Sequence, residues 1–372
     1  MVTFPGVDPI PLPAPVFFFK ILHIAMLTLH FYAVHILLGG MIIGGITALK
    51  AKISGEKDIK TISELIIGRL PIVMAFVINF AIPPLLFTQV LYGRALFPST
   101  VIIGLWWFAI IILVLLAYYL LYISQQRMES SRGWWWISLT AYLLAATVAF
   151  IYSNTMTLML RPEAWTAMYR GHPGGFQLPS GDPTIIPRWV YMLTASIAIG
   201  AAALIVLSLK KTISLSISIK LRRVLGWLAA SFAIIQVLAG YWVFSSQPEK
   251  IRAGLTSSSY TKIAFILWSV SLLVLFSAGI ITAIKNRARS YLMPVIMLTA
   301  GFVNIASWVM IRDAIRDITL RLKGFDVWSR SIAVNWSVII FFLALFIVAL
   351  AAIGWMAAQL FKTGRNKEHY GR

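Results

Sequence analysis

The 372-residue chain is built from long apolar stretches separated by short polar ones. Nine stretches are long enough to cross about 30 Å of hydrocarbon as helix, at 17–49, 70–93, 100–123, 134–160, 189–209, 224–246, 263–284, 291–311 and 331–361. Each runs without the polar alternation of an outer-membrane barrel strand. The pattern therefore predicts an all-α integral membrane protein, a bundle of about nine transmembrane helices over 17–361. It is flanked by a Pro-rich arm at 1–16 and a basic tail at 362–372. No repeat or low-complexity linker divides the bundle.

Composition agrees with burial in lipid: 60% of residues are hydrophobic and 12% charged, against roughly a quarter charged in soluble domains. With no Cys in the chain, disulfides, Cys-ligated metal centres and covalently attached c-type haem are excluded. The net charge of +20 divides by side. The first, third, fifth and seventh loops and the C-terminal tail hold 19 basic and 5 acidic residues, or +14, and the opposite side carries +6. Positive residues favour the cytoplasm, so the N-terminus is expected outside and the C-terminus inside, and nucleic acid is not needed to explain the charge. The opening MVTFPGVDPIPLPAP lacks the basic region of a signal peptide and is read as an extended outer arm. The outer loops at 161–188, 247–262 and 312–330 are richer in Pro, Gly, Arg and Asp than the inner turns, and function is expected there.

This placement assigns no Asp, Glu, Lys or Arg to the apolar part of any span, which argues against a proton pump, an ion-coupled transporter or a gated cation pore. Histidine remains. His23, His30 and His35 lie in the first span. His23 and His30 are two helical turns apart, within about 20° of one line and roughly 10 Å apart in height, while His35 points about 140° from His30. Two imidazoles on one face can each serve as an axial ligand to a separate haem; each can equally hydrogen-bond a neighbouring helix. His172 is read as an outer-loop residue and His369 as a solvated tail residue. Gly39, Gly40, Gly44 and Gly45 form a stripe for close helix approach. Pro83 and Pro84 interrupt the second span, beside a cofactor or as a packing kink. Trp106, Trp107 and Trp134 to Trp136 are read as an interfacial belt around the third loop.

The segment LHFYAVHILLGG resembles the first helix of subunit I of cytochrome bd quinol oxidases, with His30 in the place of its axial haem ligand. INFAIPPLLFTQVLYG (78–93) is similar to that family's second helix, and PRWVYMLTASIAIGAAALIVLSLK (187–210) to its fifth. Gln247, Pro248 and Lys250 in SSQPEKIRAGL resemble the start of its quinol-binding loop. The sequence also departs from the family. Tyr191 stands where the family has the His ligand of its low-spin haem, and Ala264 where it has the opposing Met. Leu255 stands where an acid of the quinol loop is expected, and VIIGLWWFAIIILVLLAYYLLY lacks the acids of the third helix. Dioxygen reduction is therefore not expected. The additional His23 and the run MIRDAIRDITL (310–320) resemble bd-like membrane subunits found with multihaem c-type cytochromes.

The resemblance implies a b-type cytochrome subunit in a prokaryotic cell membrane, with one or two haems b. It would oxidise quinol and pass electrons to an extracytoplasmic, multihaem cytochrome partner. His23 and His30 would be axial ligands, Gln247 and Lys250 would hold the quinol headgroup, and second ligands would come from Met74, Met156, Met192 or Asn79. Arg312, Arg316, Arg321, Lys323 and Arg330 in the basic outer loop would neutralise haem propionates or dock an acidic partner; a solvated loop explains them equally. The alternatives are a haem-free anchor of a respiratory complex and, resting only on the broken second span, a transporter of an uncharged solute.

Overall fold

A computed structural model describes residues 4–6, 11–127, 134–179, 181–211, 213–285 and 290–366. His369 and part of the basic tail lie outside them. Among the described residues twelve α-helices follow one another: α1 (Val16–Ser54), α2 (Lys57–Ile67), α3 (Leu70–Ile102), α4 (Gly104–Arg127), α5 (Trp134–Leu158), α6 (Pro162–Gly171), α7 (Ile185–Leu204), α8 (Leu215–Ser245), α9 (Glu249–Ser257), α10 (Ser259–Ile284), α11 (Leu292–Leu322) and α12 (Trp336–Asn366). Among the described residues, nine segments are long and apolar enough to cross a membrane, and they match the nine expected stretches. The protein is a multi-pass, all-helical membrane protein.

Helix α1 is the hub. It packs against α3, α5, α7 and α11, while α4 pairs with α5, α7 with α8, α8 with α10 and α10 with α11. The glycine stripe makes this possible: a Cβ on Gly39 would stand 2.0 Å from the Ser196 carbonyl oxygen and 2.8 Å from the Gly200 Cα. Both are backbone atoms and cannot give way, so only glycine lets α1 and α7 approach this closely. Helix α12 is peripheral, with Trp336, Ile340 and Phe341 exposed and Phe342 edge-on to Phe87.

Three short helices lie outside the expected spans. In α2, Ile59, Ile62 and Ile66 recur on one face and are buried against the bundle, a periodicity visible in the sequence. It begins after Gly55, whose φ of 70° ends α1 in the left-handed conformation. Helices α6 and α9 order parts of the loops at 161–188 and 247–262.

The described residues of the Pro-rich arm are pinned to the bundle. Leu12 N–H donates to the Ser331 carbonyl and the Leu12 carbonyl accepts from Ala333 N–H, a parallel bridge to the segment after α11. Phe4 packs on Trp165 and Phe325, and Arg94 Nε donates to the Pro5 carbonyl at 2.6 Å. The arm, α6 and the 323–335 segment thus form one loop-rich end of the bundle. Trp106 and Trp107 open α4, at the opposite end of that helix from the third loop, which corrects their assignment to one belt with Trp134 to Trp136.

The outer loop expected at 312–330 is also corrected. Helix α11 continues through Leu322, so Arg312 and Arg316 are helical residues inside the bundle. Asp313, Arg316 and Asp317 find charged partners there, as charges inside a bundle require.

Candidate functional site

A cavity of about 660 Å³ lies between α1, α3, α4, α5, α7 and α11, within the usual range for a ligand site. Most of its wall is apolar. Its polar groups include two imidazoles of α1, His30 and His35, three guanidiniums, Arg188 of α7 and Arg312 and Arg316 of α11, the Asp313 carboxylate of α11, and the hydroxyls of Tyr152 and Ser153 of α5. Met74, Met156 and Met192 line it as well. Asn79 is not in the wall; its side-chain amide donates to the Ala75 carbonyl at 2.8 Å. Ile82, Phe108 and Ile111 both line the cavity and are exposed on the bundle surface, so it reaches the lipid-facing side between α3 and α4.

The histidines of α1 divide between two environments. His30 Nδ1 lies 3.1 Å from the Val77 carbonyl, and His35 Nδ1 lies 2.6 Å from the carbonyl of Phe31, one turn back. A carbonyl only accepts, so each Nδ1 carries the proton and each Nε2 keeps a lone pair. His35 Nε2 is buried and has no hydrogen-bond partner. His23 is 1% exposed and outside the cavity wall. Its Nδ1 faces the Pro84 carbonyl at 3.2 Å, and its Nε2 accepts from Arg316 Nη2 at 3.0 Å. The structure brings His30 and His35 to one cavity and gives both nitrogens of His23 to other partners.

Next to the cavity, at the loop-rich end, is a buried ion network. Lys20 Nζ of α1 lies 2.5 Å from Asp313 Oδ2 and 2.7 Å from Asp317 Oδ2. It also donates to Tyr92 Oη of α3 at 2.6 Å, and that hydroxyl donates to Asp317 Oδ1 at 2.6 Å. Arg316 Nη2 pairs with Asp313 Oδ1 at 2.5 Å, and its guanidinium stacks over the Tyr92 ring at 4.0 Å. Two cations and two carboxylates are balanced, as burial demands. At Tyr92 the backbone of α3 leaves helical geometry (φ −129°, ψ 19°), turning the hydroxyl into the network.

These charges contradict the expectation that the spans contain no Asp, Glu, Lys or Arg: Lys20 lies inside the 17–49 stretch, and Asp313 and Asp317 lie in the continuation of the eighth span. Lys20 and Asp313 are 4% and 5% exposed within helices α1 and α11. The signal was present: R-D-A-I-R-D repeats every four residues, and on a helix that period puts Arg312 and Arg316 on one face and Asp313 and Asp317 on the next. Both arginines reach the cavity, both carboxylates reach Lys20, and Asp313 also touches the cavity wall beside Arg316. Arg312 lies 5.0 Å over the Phe31 ring, and Arg188 Nη1 donates to Thr157 Oγ1 at 3.1 Å. Among the described residues neither is in an ion pair, so the cavity has a cationic end.

Gln247 and Lys250 sit where α8 turns into α9. Gln247 is buried and donates from Nε2 to the Val243 carbonyl at 3.0 Å, one helical turn from the cavity wall that Val243 joins. Lys250 is exposed. Leu255, in place of an acid, is buried against Ile311 and Ile315. The space around Tyr191 is filled: its ring stacks on Trp308 at 3.7 Å, and its hydroxyl accepts from Trp268 Nε1 at 2.8 Å. His172 is exposed at the end of α6. Lys323 binds Glu163 of α6 at 2.8 Å, while Arg321 pairs with Asp326 at 3.5 Å.

No family model matches the chain, and no curated protein matches it. Among solved structures it is similar to the bd oxidase from Geobacillus thermodenitrificans, at 13% identity and a TM-score of 0.70 over 95% of this chain and 99% of that one. The chain has the bd oxidase fold, as its motifs and span order implied.

Proposed function

We propose, with the bd oxidase fold as premise, that the protein is the haem-bearing, quinol-oxidising membrane subunit of a respiratory complex and does not reduce oxygen. The observation that carries the reading is the composition of the cavity wall inside that fold. Haem b is a flat apolar macrocycle with two carboxylates at one edge and an iron that takes imidazole or thioether ligands, and when bound it supplies one-electron storage. The residues present fit it. Apolar side chains of α3, α4 and α5 would hold the macrocycle, Arg188, Arg312 and Arg316 would pair with the propionates, and His30 offers an Nε2 whose tautomer is set by the Val77 carbonyl. Such outer-sphere orientation is typical of ligating imidazoles. Met74 of α3, Met156 of α5 and Met192 of α7 line the same cavity and would supply soft donors from other helices. His23 serves this site indirectly, by holding Arg316 beside the cavity.

Quinol oxidation is proposed at the α8–α9 turn on the side expected outside. Lys250 and Gln247 would hold the headgroup oxygens there, Gln247 after exchanging its bond to the Val243 carbonyl. The two electrons leave toward the cavity one turn away, and the two protons go to water at the exposed loop. The acceptor is proposed to be an extracytoplasmic multihaem cytochrome docking on the loop-rich end. Haem reduction by a short-chain quinol in membranes containing the protein tests the reading: a haem band that appears on adding quinol supports it, and a haem that only dithionite reduces refutes quinol oxidation. The second reading is a haem-free anchor. It is favoured by Tyr191, Trp268 and Trp308 filling the space where the resemblance expects a low-spin haem, and a purified protein without haem would establish it.

A further inference from the structure

We propose that a pocket at the start of α11 holds the phosphate of an anionic phospholipid, on the face expected to be cytoplasmic. The site is separate from the cavity described above and does not depend on the haem reading. It is a second cavity, of about 110 Å³, between the early part of α8, the end of α10 and the start of α11.

Helices α8 and α10 are locked together one turn away. A Cβ on Gly226 would stand 2.6 Å from the Gly279 carbonyl oxygen, and one on Gly279 would stand 2.8 Å from the Gly226 carbonyl oxygen, so the two backbones touch there. Arg222, one turn before Gly226, is thereby packed beside the end of α10 at 3% exposure. Its Nη2 donates to the Ser290 carbonyl at 3.1 Å. Lys285, where α10 ends, lines the same pocket with Thr282 and Ser290. The lining contains two cations and no carboxylate, and among the described residues neither cation is in an ion pair.

The sidedness rule accounts for positive charge on this face but not for its burial. An arginine in water would serve topology as well, whereas a guanidinium buried between helices needs a counter-charge. Asp313 and Asp317 supply one to Lys20 and Arg316. Arg222 has none among the described residues, and an anion from outside the chain would provide it.

The pocket's position selects the anion. Lys285 and Leu292 both line it and are exposed on the bundle surface, so it opens outward between α10 and α11. Tyr291, beside Leu292, is 65% exposed, and such rings sit at the level of the lipid headgroups. The volume is several times the roughly 30 Å³ of one water, which admits a phosphate group and leaves the glycerol and acyl chains in the bilayer along Leu292. Basic pockets between spans on the cytoplasmic side are recurrent headgroup sites. The contacts come from the Lys285 ammonium and the Ser290 hydroxyl, while the enclosed Arg222 guanidinium acts by its charge across the pocket wall.

Native mass spectrometry of the full chain in neutral detergent, titrated with phosphatidylglycerol, tests this. One tightly bound lipid per chain is expected, and zwitterionic phosphatidylcholine is expected not to compete for it. Lys285→Gln, at an exposed position, should weaken phosphatidylglycerol binding about five-fold. Lys57→Gln removes an exposed cation of the same face that is outside the pocket and should leave binding unchanged. Wild-type binding in Lys285→Gln, or equal weakening in both variants, overturns the site. Inorganic phosphate that displaces the lipid at equal concentration makes the ligand a free anion and overturns the lipid assignment. In the wild type the melting midpoint should rise on adding phosphatidylglycerol, and in Arg222→Gln that rise should be lost. A rise of wild-type size in Arg222→Gln also overturns the proposal.

Discussion

Asp313→Asn is the substitution with the largest expected effect on the fold. The carboxylate is 5% exposed and receives Lys20 Nζ at 2.5 Å on one oxygen and Arg316 Nη2 at 2.5 Å on the other. The amide conserves shape and removes the charge, leaving two cations against the single carboxylate of Asp317. Removing one partner of a buried ion pair costs about 3–5 kcal/mol. At roughly 2–4 °C per kcal/mol for bodies of 150–250 residues, the thermal midpoint should fall by about 10 °C. The exposed pair Lys220–Glu56 has a similar distance, 2.7 Å, with both side chains more than 40% exposed, and exposed pairs contribute less than about 1 kcal/mol. Glu56→Gln is therefore the control and should leave the midpoint nearly unchanged. Midpoints read by loss of the monodisperse peak on heating in detergent compare the two. The double variant Lys20→Met with Asp313→Leu should recover most of the loss, since an apolar replacement of a whole buried pair is often neutral. If Asp313→Asn melts within 2 °C of the wild type, in line with an exposed pair's contribution, the network does not carry its charge in the buried form described.

Other consequences follow from the same packing. Gly39→Val forces α1 away from the backbone of Ser196 and Gly200 and should destabilise by at least the roughly 1–3 kcal/mol of core overpacking, read as a lowered midpoint. Lys250→Ala is expected to raise KM for quinol several-fold with haem content unchanged; an unchanged KM removes Lys250 from the headgroup site. Burial disfavours the ionised carboxyl of Glu163, but the Lys323 ammonium and Arg161 outweigh it and hold the carboxyl below the usual Glu range. A depressed folded value means stability that is present above the unfolded pKa, near 4.3, and is lost as pH falls through the folded one. Glu163→Gln should therefore flatten the midpoint's decline in that acid window, and an equally steep decline would show that α6 is not held by this pair.

The spans were legible because burial in lipid demands long uncharged stretches, and no tertiary detail is needed to see them. The close approach at Gly39 was legible for a similar reason, since small residues at helical spacing have few other uses. Helix α11 was misread at its end: RDAIRD looks like a loop to a hydropathy reading, and only Lys20 and Tyr92, 293 and 221 residues from Asp313 in sequence, make its charges compatible with a helix inside the bundle. His30 is singled out by motif, and the structure places it in the cavity wall. Spacing on α1 favours His23 as the partner of His30, but spacing carries no information about Arg316, which occupies His23 Nε2 from another helix. The cationic end of the cavity was scattered over 188, 312 and 316, and only the packing of α7 on α1 and α11 assembles it.

The central claim is that the cavity between α1 and α11 is a haem site. The dithionite-reduced minus oxidised spectrum of the purified full chain, with its pyridine haemochromogen, tests this most directly. The account predicts b-type haem bands that weaken in His30→Leu. A protein that is folded, monodisperse and free of haem would contradict it.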